Sequence, residues 1–147
     1  MNNCRMWLQR ACAIIMMLAF NYVVSAEAIK FELVKVQVKQ LTLEVELADT
    51  PQLRAQGLMH RTTAKPGMLF VYPYPQQTAF WMRNTLIPLD LAYIDQQGTI
   101  VAIIQMNAMD DTTHPSPTAI VGALEMELGW YAKQGIKVGD VIQIGQY

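Results

Sequence analysis

The chain has 147 residues, the size of one small domain, and it contains neither a run of basic residues nor an internal repeat. Two of the eleven basic residues lie in the first 26 positions, so nine basic and twelve acidic residues give the remainder a formal charge of −3. This balance argues against nucleic acid and anionic lipid surfaces as partners.

The first 26 residues predict a cleavable secretory signal peptide. Arg5 and Arg10 supply a positive start, an apolar segment follows from position 11, and Val24-Ser25-Ala26 offers small residues for a signal peptidase. The apolar run is about 14 residues long, shorter than the roughly 20 that span a bilayer. We therefore expect a periplasmic or secreted mature protein of residues 27–147, with no membrane association after cleavage.

Both cysteines, Cys4 and Cys12, lie within this predicted signal. The mature segment therefore has no disulfide, no thiol nucleophile and no cysteine metal site, although exported compartments permit disulfides. Its stability must come from an apolar core, which a domain of this size can bury. We expect a monomer without a cofactor.

Short apolar runs predict a mainly β domain with two short helices. Residues 41–47 alternate between apolar and polar, which is typical of a half-buried strand. Thr50 is a predicted N-cap for a helix that begins at Pro51 and stops at Gly57. A second helix is predicted over 127–134. The predicted strands are 31–38, 41–47, 67–72, 78–82, 89–94, 99–106, 119–124 and 141–144.

Turn residues separate these strands and set the expected architecture. Pro73 and Pro75 are expected to end the third strand, and 95–98 is predicted to be the turn of a hairpin. Residues 107–117 form a predicted polar loop. Several short strands in a single compact domain are typical of a β-sandwich or small barrel.

Three segments carry a family resemblance: RAQGLMHR at 54–61, GMLF at 67–70 and FWMRNTLIPLD at 80–90. Together with short C-terminal matches between 124 and 140, they resemble the domain-of-unknown-function 192 family over residues 31–144. The resemblance implies a single β-rich domain, often behind a signal peptide, and implies no reaction. The loop after Met106, which contains His114, departs from the family pattern.

The segment around Trp81 holds the first candidate site residues. If it is a strand, Phe80, Met82 and Asn84 share one face, while Trp81 and Arg83 share the other. Trp81 beside an arginine could form a shelf for a sugar or another planar ligand. Alternatively, Trp81 packs in the core, and Asn84 only forms a turn.

Four charged residues complete the candidate set. Arg54 and Arg61 flank the Gly57 turn and could bind a carboxylate or phosphate group, or they could form structural ion pairs with Asp90 or Glu125. Glu125 lies between apolar neighbours, so we expect it to be at least partly buried, with a shifted acidity.

Catalysis and metal binding have weaker support. No Gly-x-Ser-x-Gly motif is present, and a Ser116–His114 pair within one loop has no geometric support. Asp90 and Glu125 could act as paired carboxylates in a hydrolase. Asp110, Asp111 and His114 are possible metal donors, but no second histidine cluster completes a zinc site, so no metal site is predicted.

The leading hypothesis is therefore a non-enzymatic exported domain that binds a small ligand, a glycan or a peptide. A hydrolase with paired carboxylates and an envelope protein-docking domain are the alternatives. The predicted ligand-binding residues are Arg54, Arg61, Trp81, Asn84, Asp90 and Glu125.

Overall fold

The computed structural model describes residues 29–145, so the predicted signal peptide lies outside the described residues. Within that range, the chain forms nine strands and two short helices. The elements are β1 (Glu32–Val38), β2 (Leu41–Ala48), α1 (Pro51–Gln56), β3 (Met68–Gln76), β4 (Ala79–Phe80), β5 (Leu89–Ile94), β6 (Ile100–Met106), β7 (His114–Pro115), β8 (Ile120–Glu127), α2 (Trp130–Gln134) and β9 (Ile142–Ile144). The mainly β fold with two short helices that the sequence predicts is confirmed.

Seven of the strands form one curled sheet in the order β6-β5-β8-β3-β2-β1-β9, and β4 pairs with β7 in a separate ribbon. The β2–β3 pair is parallel, whereas its neighbours in the sheet are antiparallel. A parallel pair needs a crossover connection, and α1 lies within that connection. Strand β8 lies in the interior of the sheet, between β3 and β5, and six of its eight residues are buried.

The two edges of this sheet meet at one end, so that the sheet curls into a half-barrel. Thr99 and Val141 form an isolated antiparallel bridge between the start of β6 and the start of β9. The Ile142 amide donates to the Gly98 carbonyl at 2.8 Å, and the Ile100 amide donates to the Asp140 carbonyl at 2.9 Å. These bonds satisfy backbone groups that an open sheet edge would leave unpaired.

Apolar side chains pack on both faces of the central strands. Along β8, Leu124 and Met126 belong to the cluster inside the half-barrel, whereas Ala123 belongs to a second cluster on the other face. Strand β5 is buried along its whole length because it carries apolar residues for both clusters. Leu53 of α1 packs against the second cluster, and Phe80 of β4 belongs to it.

The first helix follows its predicted signals. Thr50 Oγ1 accepts a hydrogen bond from the Leu53 amide at 3.2 Å, and Pro51 occupies the first helical turn. Gly57 ends the helix with a positive φ of 48°. The second helix begins at Trp130, later than predicted, because β8 continues to Glu127.

Two sequence expectations about strand ends are wrong. The third strand does not stop at Pro73 and Pro75 but continues to Gln76, with an irregular register after Val71 that leaves both prolines outside the regular ladder. The fourth strand covers only Ala79–Phe80, and the chain turns after Met82. The expected alternation therefore ends there.

Closure of the half-barrel depends on a glycine at the edge contact. Gly98 has a φ of +79°, and a Cβ atom at this position would lie 2.7 Å from the Ile142 carbonyl oxygen. Gly129 has a similar φ of +81° but has no atom within 4 Å of such a Cβ. We expect Gly129→Ala to cost about 1–2 kcal/mol from backbone strain, and Gly98→Ala to cost about 1–3 kcal/mol more from the steric clash.

Urea unfolding of both variants measures this difference. Equal losses in the free energy of unfolding would contradict a close-packed edge contact at Gly98. A larger loss at Gly98 would confirm that the contact leaves no room for a side chain.

Candidate functional site

A cleft opens on the outer face of the sheet, between α1 and the segment that follows β4. Its cavity volume is about 120 Å³. Aromatic rings from β3 and β4 form its walls, Arg54 and Trp81 line it from two further sides, and the Glu125 side chain reaches it from β8. We call this feature the Glu125 cleft; it brings together three of the six predicted site residues.

Glu125 is the buried polar group of the cleft. It lies in β8, opposite Met68 of β3 and Leu91 of β5, and is only 5% exposed. Within residues 29–145 no side chain or backbone group donates a hydrogen bond to its carboxyl. Burial raises the pKa of the Glu125 carboxyl to about 8, so the group is protonated near neutral pH. The expected burial of Glu125 is confirmed.

Arg54 lies at the end of α1 and is held by backbone carbonyls rather than by a carboxylate. Its Nη1 donates to the carbonyl oxygens of Asp49 and Val71, the latter at 2.8 Å. Its guanidinium lies 4.9 Å from the centre of the Tyr72 ring. The three ion pairs within residues 29–145 do not include Arg54, so the expected pairing with Asp90 or Glu125 does not form.

Trp81 lies at the cleft and is 49% exposed, so it is not a core residue. The Arg83 guanidinium stacks 5.4 Å from the Trp81 ring centre, and Arg83 Nε donates to Asp111 Oδ1 at 2.8 Å. The expected pairing of Trp81 with Arg83 is therefore present. The Trp81 ring contributes the aromatic surface, while Arg83 itself lies outside the cleft lining.

Tyr72 is a cleft residue that the sequence analysis did not identify. Its hydroxyl lies 3.3 Å from Thr78 Oγ1, and burial raises its pKa above the ordinary value of 10. Met68 is the cross-strand partner of Glu125, and strand alternation from Met68 leads to Phe70 and then to Tyr72 on the same face. The position of Tyr72 at the cleft can therefore be predicted only after the register of β3 with β8 is known.

Two other predicted residues lie away from the cleft. Arg61 forms an ion pair with Glu46 of β2, with Nη1 2.8 Å from Oε2 and Nη2 donating to Oε1 at 3.1 Å. This pair ties the segment after α1 to the sheet, as the structural alternative required, but with a different partner. Asn84 is an exposed turn residue with a φ of +58°, and its carbonyl accepts from the His60 amide.

Asp90 lies on the opposite face of the sheet from Glu125. It is 2% exposed, and its carboxylate accepts from Gln105 Nε2 and from the Tyr131 amide, each at 3.3 Å. Its cross-strand partner is Met126, whereas the partner of Glu125 is Leu91. Because successive residues of a strand face opposite ways, the two carboxyl groups do not share a cleft.

Two further features of the described part of the chain bear on the site. Residues 29–145 contain no cluster of three or more His, Cys, Asp or Glu side chains arranged to hold a metal ion. None of the helices in this range is both long and apolar enough to cross a membrane.

Comparison with known protein families identifies the family to which the chain belongs. Residues 34–144 match the DUF192 family, whose description is "Uncharacterized ACR". The chain belongs to the DUF192 family. The resemblance seen in the sequence is thereby confirmed over nearly the same residues. No curated protein gives a significant match to the DUF192 chain.

Two solved structures share the fold of this DUF192 protein. A Sinorhizobium meliloti 1021 protein described as a "putative transcription regulator" is 31% identical, with a TM-score of 0.72, and the match covers 79% of this chain and 96% of that one. A Novosphingobium aromaticivorans DSM 12444 protein of unknown function is also 31% identical, with a TM-score of 0.69 and coverage of 86% and 94%, respectively. Both neighbours therefore match over nearly their whole length.

Burial of Glu125 predicts a specific pH dependence of stability. The pKa of its carboxyl is about 8 in the folded protein, against an ordinary value of 4.5. Between these values the folded state holds a proton that the unfolded state releases, so the free energy of unfolding falls as pH rises through this window. Each unit of pKa difference corresponds to about 1.4 kcal/mol. We expect Glu125→Gln to remove this part of the slope.

Urea unfolding at several pH values between 5 and 9 compares wild type with Glu125→Gln. The matched control is Glu127→Gln, two residues along the same strand but exposed. The control should follow the wild-type slope. A Glu125→Gln slope equal to that of wild type would show that the carboxyl is already ionised in the folded protein.

Proposed function

We propose that this DUF192 domain binds a small ligand in the Glu125 cleft and does not catalyse a reaction on it. One observation carries the proposal: a buried carboxyl without a protein partner in the described chain lines the same cleft as an arginine and a half-exposed tryptophan. Ligand sites commonly combine apolar walls with a few convergent polar groups of this kind.

Energetics support a ligand at this position. The Glu125 carboxyl is only 5% exposed, and a ligand atom that pairs with it would supply a hydrogen bond that the described part of the chain does not. Trp81 is half exposed beside the same cavity, where a ligand would cover its ring. Arg54 is fixed by two carbonyls before any ligand arrives, so little side-chain entropy is lost on binding.

A hydrolase with paired carboxylates has less support from this geometry. Asp90 and Glu125 extend from opposite faces of the sheet, and Asp90 is engaged by the Tyr131 amide and Gln105. A glycosidase needs both carboxyl groups beside the same bond. Binding without chemistry therefore fits the arrangement better.

Nucleic-acid binding, which the description of the Sinorhizobium meliloti neighbour would suggest, also has less support. The segment after position 26 carries a formal charge of −3. Two of its three arginines, Arg61 and Arg83, are paired with carboxylates. A DNA-binding surface instead requires clustered basic groups that are free to contact phosphates.

Protein docking is the second candidate, favoured by exposed apolar residues next to the cleft. Leu86 and Met109 are 48% and 57% exposed. The Met109 amide donates to the Thr85 carbonyl at 2.9 Å, so the segment that carries Met109 lies beside the segment that carries Leu86. Such a patch is a feature of protein contact sites. A protein partner captured through this patch, together with an unoccupied cleft, would favour docking over ligand binding.

A thermal-shift screen tests ligand binding. Sugars, carboxylates, phosphates and cell-wall peptides are each added to the purified protein, and a ligand at 100 times its Kd should stabilise the fold by about 2.7 kcal/mol. We expect Trp81→Ala to weaken binding of any hit about tenfold, since lost ring contact costs about 1.4 kcal/mol. Tyr74→Ala is the control, because Tyr74 is exposed but does not line the cleft. A hit that survives Trp81→Ala unchanged would place the ligand elsewhere.

We also propose that the protein acts outside the cytoplasm, because residues 1–26 have the organisation of a signal peptide. Expression of the full chain in a Gram-negative host should give a periplasmic protein with the mass of residues 27–147. Ala26→Arg should block cleavage and retain the precursor mass. Cytoplasmic protein of full-length mass from the unaltered chain would contradict export.

A further inference from the structure

The unpaired hydrogen-bonding groups of the Glu125 cleft define a chemical class of ligand. A guanidinium has five N–H donors, and Arg54 Nη1 is already used on the Asp49 and Val71 carbonyls. Its Nε–Nη2 edge has no protein partner within residues 29–145. Two parallel N–H groups on one edge match the two oxygens of a carboxylate.

Glu125 adds a donor rather than a second charge. Because the carboxyl is protonated near neutral pH, it offers one O–H group to a ligand oxygen. Asp90, the nearest carboxylate along the neighbouring strand, is on the other face of the sheet. The side chains that line the cleft therefore carry a net positive charge of one, which comes from Arg54. A ligand with a single negative charge neutralises it.

The Trp81 ring supplies apolar surface at the cleft that a ligand can cover. Leu58, Phe70 and Phe80 are buried in its walls, and the half-exposed Trp81 ring lies beside the cavity. This surface favours a ligand with an apolar body over a fully hydrated ion. A phosphate dianion would leave an uncompensated negative charge, and a neutral sugar would leave the guanidinium charge unused.

We infer that the ligand of the cleft is a small organic monocarboxylate, whose carboxylate accepts hydrogen bonds from Arg54 and Glu125 while its apolar body lies against Trp81. This inference rests on the proposed binding function and names the ligand class for the same site. Association involves hydrogen bonds and burial alone, with no covalent step.

Loss of the Glu125 proton should then weaken binding, because a second carboxylate would face the ligand anion. Tyr72 from β3, Tyr93 from β5 and Tyr131 from α2 lie close enough to feel the charge of Glu125, and Arg54 from α1 lines the same cleft. Burial raises the pKa of all three tyrosines above 10, and that of Tyr93 to about 12. Arginine stays charged, so Glu125 is the group among these that titrates between pH 6 and pH 9.

Isothermal titration with benzoate, a monocarboxylate with an apolar ring, tests the inference. At wild type we expect saturable one-site binding at pH 6 and about tenfold weaker binding at pH 9, because roughly a tenth of Glu125 remains protonated there. Glu125→Gln keeps a donor without a titrating proton, so its affinity should change less than about twofold between the two pH values. Circular dichroism confirms that each sample is folded.

Arginine variants test the charge. Arg54→Gln should abolish benzoate binding, whereas Arg61→Gln, which alters an ion-paired arginine outside the cleft, should leave the affinity unchanged. The wild-type pH profile and Glu125→Gln keep the test decisive even where Arg54→Gln does not fold.

The outcomes separate this inference from the function on which it rests. Benzoate binding that is lost at pH 9 in wild type but retained in Glu125→Gln supports the monocarboxylate. Binding of glucose or inorganic phosphate at the cleft without benzoate binding overturns the ligand class and leaves the binding function intact. Benzoate binding that is independent of pH, or of Arg54, overturns the inferred contacts. No binding of benzoate overturns the ligand class, and the absence of any hit in the thermal-shift screen overturns the binding function as well.

Discussion

The site depends on one constraint, the placement of an ionisable carboxyl in an interior strand of a curled sheet. Strand β8 has β3 on one side and β5 on the other, so a side chain in its middle cannot reach bulk water around a sheet edge. An ionised carboxylate held there without a partner would cost far more than the protonated form. Protonation, with a pKa of about 8, removes most of that cost. The remaining cost is that of a neutral carboxyl without a protein hydrogen bond.

The backbone between β2 and β3 forms one side of the cleft. This crossover carries α1, residues of α1 and the following turn line the cleft, and Gly57 ends the helix with a positive φ. Arg54 then fastens the end of α1 to the Val71 carbonyl, where the regular register of β3 with β8 ends. This hydrogen bond gives the guanidinium a fixed position at one wall of the cleft.

The sequence was sufficient for the local features and insufficient for the register. Alternation along β2, the Thr50 cap and the Gly57 stop are encoded within a few residues, and the structure contains each of them. The partners of Arg54 and Arg61 depend on which strands are neighbours, so the local sequence could not identify them. The ion pairs that we expected with Asp90 or Glu125 do not form. Trp81 illustrates the same limit: a local pattern cannot tell an exposed tryptophan beside a cleft from one in a core. Tyr72 required the β3–β8 register before its position could be read.

Asp90 and Glu125 lie on neighbouring strands, and the alternation of side chains along a strand places these two buried carboxyl groups on opposite faces of the sheet. Asp90 is paired with Met126 and Glu125 with Leu91, one step along the same two strands, and so they extend from opposite faces. On the inner face, the first turn of α2 presents the Tyr131 amide to Asp90, and Gln105 adds a second donor. On the outer face, no element within the described chain supplies Glu125 with a donor. Asp90 therefore helps to hold α2 against the sheet, whereas Glu125 keeps its hydrogen-bonding capacity for a molecule that enters the cleft.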